Sequence, residues 1–212
     1  MPEIPAPSRA TPSGRQPSSF PLSPDEALWS GPALDPGALF VRRAPLEVEI
    51  GSGKARFLVE AARETPGHDF LGIERSLSYY RICRDRVERA ALSNARMVRA
   101  DGRIFAEALP LESVRAFHIY FPDPWPKKKQ KKRRLLDGVT LEILARRLEP
   151  GGYLRIATDH SGYGSGLDPI LESVPALQRL AWEDLPPPPP THYEIKYREE
   201  GRAIWRYLLT RR

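Results

Sequence analysis

The chain has a single cysteine, Cys83, in 212 residues. That excludes an intramolecular disulfide and any zinc site built on cysteine. Cys83 falls on an expected helix and reads as a small packed side chain. Histidine is nearly as scarce: His68, His118, His160 and His192 share no metal-ligand spacing, so no metal is expected. His118 sits inside an apolar run and reads as a core residue. No apolar stretch approaches the roughly 18 residues of a membrane helix. Without a signal-peptide pattern either, the expectation is a cytoplasmic protein with no membrane association. Acidic residues are missing from one place above all, since positions 127–134 hold seven cations and no anion. Taking those seven charges from a formal net charge of +6 leaves the remainder at −1. The basicity is a patch, and a local patch fits a nucleic-acid partner.

Proline is in excess, and it is unevenly placed. Nine fall in the first 36 positions among serines and threonines, too many for a helix or a strand. Residues 1–35 therefore read as a disordered Pro/Ser-rich leader, and 36–212 as one domain. A transit peptide is the weaker alternative, opposed by the same prolines. Five more stand in a row at 186–190 and make a stiff extended spacer.

From position 46 onward strands and helices alternate. Strands are expected at 46–50, 69–73, 95–100, 114–121 and 152–157, and helices at 55–63, 77–92, 104–109 and 135–148. Two last strands, 177–185 and 203–210, follow without a full helix between them. The pattern implies an α/β fold: a Rossmann-like, mostly parallel sheet closed by a C-terminal antiparallel strand.

The strand ends carry the chemistry. Gly51 and Gly53 close the first strand and permit a tight turn against a ligand. The dinucleotide fingerprint is incomplete, because Arg56 stands at its third glycine. Glu49, Glu74, Asp101 and Asp123 each lie at the end of a strand, where open α/β sheets bind ligands. Glu74 lies about where a Rossmann acid holds ribose hydroxyls, and Asp101 could accept from an adenine amino group. Four acids make an anionic crevice that suits a cationic sulfonium better than a phosphate. Any one of them could equally cap a helix. Asp123 and Trp125 lie between three prolines in FPDPWP, directly before the basic run. A stiff acid-bearing loop beside a polyanion site points to chemistry on a nucleic-acid base. Trp125 could stack on that base or pin the loop to the fold.

The segments LEVEIGSGKARFL, FLGIE, FPDPWPKKKQKKR, GGYLRIATD and THYEIKYREEG, in that order, resemble the tRNA (guanine-N7-)-methyltransferase family. The resemblance runs from about position 39 to 209. It implies a class I methyltransferase fold, S-adenosyl-L-methionine as cofactor, and tRNA guanosine 46 in the variable loop as substrate. By position it implies that Glu49, Gly51, Gly53, Glu74, Asp101 and Asp123 contact the cofactor and that Asp123 is catalytic. Lys127, Asp159, Thr191, His192, Tyr193 and Glu194 match substrate-contacting positions. Lys129, Gln130, Lys131, Lys132, Arg133 and Arg134 match the RNA-contacting segment. One departure is Ala55, where the family turn has a third glycine; a methyl there would narrow the cofactor's approach.

Guanine N7 carries a free lone pair and no proton, so its methylation needs no strong general base. That agrees with the absence of a suitably placed His or Cys. Two other readings remain at this point. An amino-group methyltransferase uses a similar Asp/Asn-Pro-Pro-aromatic loop, although Asp123-Pro124-Trp125 lacks the second proline. An RNA-binding protein on an inactive methyltransferase scaffold would have no reason to keep all four strand-end acids.

Overall fold

The computed structural model describes Leu28, Trp29, Gly31, Asp35 and residues 39–212. Most of the expected leader therefore lies outside the described residues. Within it, Trp29 is buried and packs edge-on against Phe105 at 4.9 Å.

Seven strands form one sheet: β1 (Leu46–Ile50), β2 (Asp69–Glu74), β3 (Ala95–Arg99), β4 (Val114–Tyr120), β5 (Leu148–Thr158), β6 (Leu177–Leu180) and β7 (Trp205–Arg211). Their order is β3-β2-β1-β4-β5-β7-β6. Pairs from β3 through β5 are parallel, and β7 runs antiparallel to both β5 and β6. The order reverses between β1 and β4, so a crevice opens at their carboxyl ends, as sheets of this kind require.

Between the strands lie α1 (Arg56–Glu64), α2 (Leu77–Ala90), α3 (Gly102–Ala108), α4 (Gly138–Arg147), α5 (Ser161–Gly164), α6 (Asp168–Glu172) and α7 (His192–Glu199). Alternation along β1 separates the two faces. Val48 and Ile50 join Phe117, Ile119, Leu154 and Ile156 under Phe105 of α3 and Leu141 and Leu144 of α4. The opposite face packs Phe57 and Leu58 of α1 and Tyr80 and Cys83 of α2 against Phe70 and Met97. Glu47 points to that second face and would be costly there alone. His118 Nε2 and His68 Nδ1 each sit 2.7 Å from its carboxylate. Burial alone would raise its pKa, but those two contacts outweigh burial and hold it at about 2. His118 is thus a satisfied core residue.

The sequence expectations differ from the fold in four places. A helix, α7, stands between the last strands where none was expected. Thr191 Oγ1 accepts from Glu194 N–H at 2.9 Å and caps it. Expected strand 177–185 stops at Leu180 because Asp184 Oδ2 accepts from Ala181 N–H at 2.9 Å and turns the chain. The helix expected from 135 begins only at Gly138, since Asp137 accepts from Thr140 N–H at 2.8 Å and sets its start. Finally, β5 begins at Leu148 and runs through Gly151 and Gly152 with a shift in register against β4. A Cβ on Gly152 would stand 3.0 Å from the Arg115 carbonyl, so only glycine lets the strands pass there.

Candidate active site

The crevice at the switch point is a cleft of about 1230 Å³. The acids Glu74, Asp101, Asp123 and Asp159 all line it, with Gly51 and Gly53 at its floor. Aromatic rings of Tyr79, Phe121, Trp125, Tyr193 and Tyr197 wall it, and Lys132, Arg133 and Arg134 stand at one rim. A second, small cavity of about 20 Å³, room for roughly one water, adjoins the glycine turn between Glu49, Lys54 and His192.

Each acid is held differently. Glu74, at the tip of β2, accepts from Gly53 N–H at 3.1 Å and Ser76 N–H at 2.8 Å. Its pKa is raised, first by burial and further by the neighbouring charge of Asp123. Asp101 caps α3, accepting from Arg103 N–H at 3.1 Å, and its other oxygen lies 3.5 Å from Arg75. It therefore does both things considered for a strand-end acid: it caps a helix and faces the cleft. Glu49 is buried, its Oε2 has no hydrogen-bond partner among the described residues, and neither has the Ser52 hydroxyl beside it. Burial pushes the Glu49 carboxyl up to about 8.

Asp123 is exposed in the loop after β4. The residues around it pay a conformational cost: Phe121 has φ 52° and Trp125 φ 40°, left-handed values that bulky side chains avoid. Such strain persists only where surroundings enforce it. Here Arg134 Nε donates to the Pro124 carbonyl at 2.8 Å while its guanidinium covers the Tyr163 ring at 4.4 Å. Arg133 lies 5.1 Å over the Trp125 ring. Trp125 is thus half-buried under an arginine while still lining the cleft. The basic segment itself forms an exposed 3₁₀ turn, Lys128–Arg133.

Other residues singled out by sequence are more dispersed. Asp159 lines the cleft in an ion pair with Arg202 at 2.8 Å. Tyr193 lines both cavities, whereas Thr191 and His192 line only the small one. Glu194 is buried, with Arg198 and Arg206 at 2.6 and 2.7 Å from the same oxygen, clamping α7 to β7. Lys127, Lys129, Gln130 and Lys131 line neither cavity. Sequence reading missed Tyr79, Tyr197 and Arg202. Tyr197 had a signal: it follows Tyr193 by four residues, so one helix face presents both rings, stacked at 5.8 Å.

Ala55 lines neither cavity and is fully buried at the start of α1 with φ 52°. Its cost is in the backbone, about 1–2 kcal/mol for a left-handed residue with a Cβ. Ala55→Gly is expected to stabilise the fold by about 1 kcal/mol and raise Tm by about 2–4 °C. Calorimetric melting checks this; a lower Tm would mean that the methyl's packing outweighs the strain.

A doubly wound sheet of this order, with acids gathered at its carboxyl edge, defines a class I methyltransferase. The aminoglycoside resistance methyltransferase NpmB1 has a similar fold, with TM-score 0.55 and 19% identity over 79% of this chain and 87% of that one. A family model described as a putative methyltransferase matches residues 43–207. The tRNA (guanine-N(7)-)-methyltransferase of Bordetella pertussis is 37% identical over 191 residues, covering 86% of this chain and 75% of the relative. That of Chromohalobacter salexigens is 35% identical over 182 residues, covering 82% and 74%. The chain belongs to the tRNA (guanine-N7-)-methyltransferase family, and its methyl donor is S-adenosyl-L-methionine.

The residues fit that donor. Glu74 is fixed by two backbone N–H groups and can accept from vicinal ribose hydroxyls. Glu49 offers a buried, unpartnered oxygen to an ammonium group. No group of three or more potential metal ligands occurs among the described residues, and none of their helices is long and apolar enough to cross a membrane.

Proposed function

We propose that the chain methylates N7 of guanosine 46 in the tRNA variable loop, working in the cytoplasm, with Asp123 facing the guanine. One observation carries the reading: Glu74, Asp101, Asp123 and Asp159 share a single cleft with an aromatic wall and a basic rim. S-adenosylmethionine, when bound, supplies the methyl group as an electrophile beside its sulfonium charge. Every other task falls to the chain. Glu74 and Asp101 hold the donor's ribose and adenine ends, and the rings of Tyr193 and Phe121 narrow the space left for a base. Asp123 accepts from the guanine N1 and amino hydrogens, which selects guanine over adenine. Alignment of this kind can supply roughly 7–11 kcal/mol of the barrier. Methylation leaves the purine cationic, and the Asp123 carboxylate offsets the charge as it develops. The basic 3₁₀ turn, with Lys129 through Arg134, holds the tRNA backbone alongside.

The position is tested with two unmodified transcripts, one carrying guanosine 46 and one carrying adenosine there. Methyl incorporation into the first alone is expected; equal incorporation into both would move the target elsewhere.

Glu74→Ala removes charge-assisted hydrogen bonds worth about 1.5–3 kcal/mol. Cofactor affinity is expected to fall roughly 10- to 150-fold with little change for tRNA. Calorimetry reads this directly, and unchanged cofactor binding would take Glu74 out of the site.

A further inference from the structure

Charge counted along the chain places all excess basicity in one segment, but the fold assembles a second cationic group from scattered residues. Lys54 Nζ stands 3.4 Å from His192 Nε2, and both line the small cavity with Arg56. Arg86 joins them through α2. Cys83, three residues earlier on the same face, donates to the Gly53 carbonyl at 3.1 Å and so ties the helix that carries Arg86 to the turn that carries Lys54. Lys54, Arg86, Arg56 and Lys196 all act against protonation of His192, whose pKa is lowered, first by burial and then by these charges. Acids neutralise only part of the group. Arg56 pairs with Glu60 at 3.0 Å and Lys196 with Glu200 at 3.8 Å, whereas Lys54 and Arg86 have no ion pair among the described residues. The one acid lining the small cavity, Glu49, is buried, which raises its carboxyl to about 8, and its free oxygen is the one assigned to the donor's ammonium group.

We propose that Lys54, Arg56, Arg86, His192 and Lys196 form a second phosphate-binding surface for tRNA, across the cleft from the basic 3₁₀ turn. The proposal rests on the reading of the chain as a tRNA methyltransferase. Helices α1 and α2 cover one face of the sheet, and α4, which follows the 3₁₀ turn, covers the other. Lys132, Arg133 and Arg134 line the large cleft, Lys54, Arg56 and His192 line the small cavity, and the two cavities meet at Gly51, Gly53, Tyr120 and Tyr193. A nucleotide drawn out of its strand for chemistry carries a phosphate on each side of it. A single patch holds the backbone on one side only. Two patches fix both phosphates and so set how deeply the base enters toward Asp123. The glycine turn, which must lie against the cofactor, thereby also presents Lys54 to the RNA.

The test is tRNA binding by the full chain across 50–200 mM salt, with cofactor calorimetry in parallel, for the double variant Lys54→Gln/Arg86→Gln. Loss of two phosphate contacts reduces the log–log salt slope by about 1.4–1.8. At 50 mM salt affinity should fall roughly tenfold or more, with cofactor affinity unchanged. An unchanged slope would make the cluster a solvated face and overturn the proposal. Weaker cofactor binding with unchanged tRNA binding would assign the cations to the donor's carboxylate end and overturn it equally. Wild-type protein that binds no tRNA would overturn the functional reading itself, which separates the two failures. Should the double variant not fold, Lys196→Gln, at a side chain 56% exposed, repeats the test with about half the slope change.

Discussion

Asp123→Asn is expected to lower turnover by about 10²–10³, by analogy with the loss of one preorganised group in a transition-state site. Asparagine has nearly the same shape, and the loop that carries it is braced elsewhere, by Arg134 on the Pro124 carbonyl. The change therefore removes charge without releasing the loop. It also turns an acceptor toward guanine's N1 and amino hydrogens into a group that presents donors to them. The loss should appear in kcat as well as KM, because the charge matters most while the methyl moves. A pH–rate profile of the wild type should have no ascending limb near neutrality, since N7 has no proton to lose. A limb that vanished in Asp123→Asn would instead make Asp123 a general base, as an amino-group methyltransferase requires.

The second large effect belongs to the 3₁₀ turn. Lys128, Lys129, Lys131 and Lys132 are exposed and make no ion pair among the described residues. Arg133 and Arg134 are different, since they brace Trp125 and Pro124. Changing the four lysines to glutamine thus removes charge and leaves the loop's supports in place. If all four touch phosphates, the slope falls by about 2.8–3.6. Through these contacts alone the wild type loses about 50- to 150-fold in tRNA affinity between 50 and 200 mM salt, and the variant does not. Filter binding at several salt concentrations measures it, with cofactor affinity as the control. A slope that survived the change would locate the RNA elsewhere.

The parallel half of the fold is legible because each strand is a short apolar run ended by an acid or a glycine. Glu49, Glu74 and Asp101 sit at strand ends for that reason, and a right-handed crossover leaves few other arrangements. The C-terminal half is less legible because its helix is specified by a cap and not by an apolar stripe. Thr191 and Glu194 have the spacing of a helix start, yet the same residues also match a substrate motif. Glu194 shows how the two readings diverge: in the fold it joins two arginines on α7 and β7. The aromatic wall was hidden for another reason. Tyr79, Phe121 and Tyr197 come from three separate elements, and only their packing makes one surface. The cationic group around His192 escapes a count along the chain in the same way. Local patterns are visible in a sequence, whereas sites assembled across a sheet are not.

The most direct test of the account is the identity of the product nucleoside. Unmodified tRNA is incubated with the chain and methyl-labelled S-adenosylmethionine, then digested to nucleosides and separated. Label is expected in 7-methylguanosine and in no other nucleoside. Label in a methylated adenosine or cytidine amino group, or stable tRNA binding with no label at all, would contradict it.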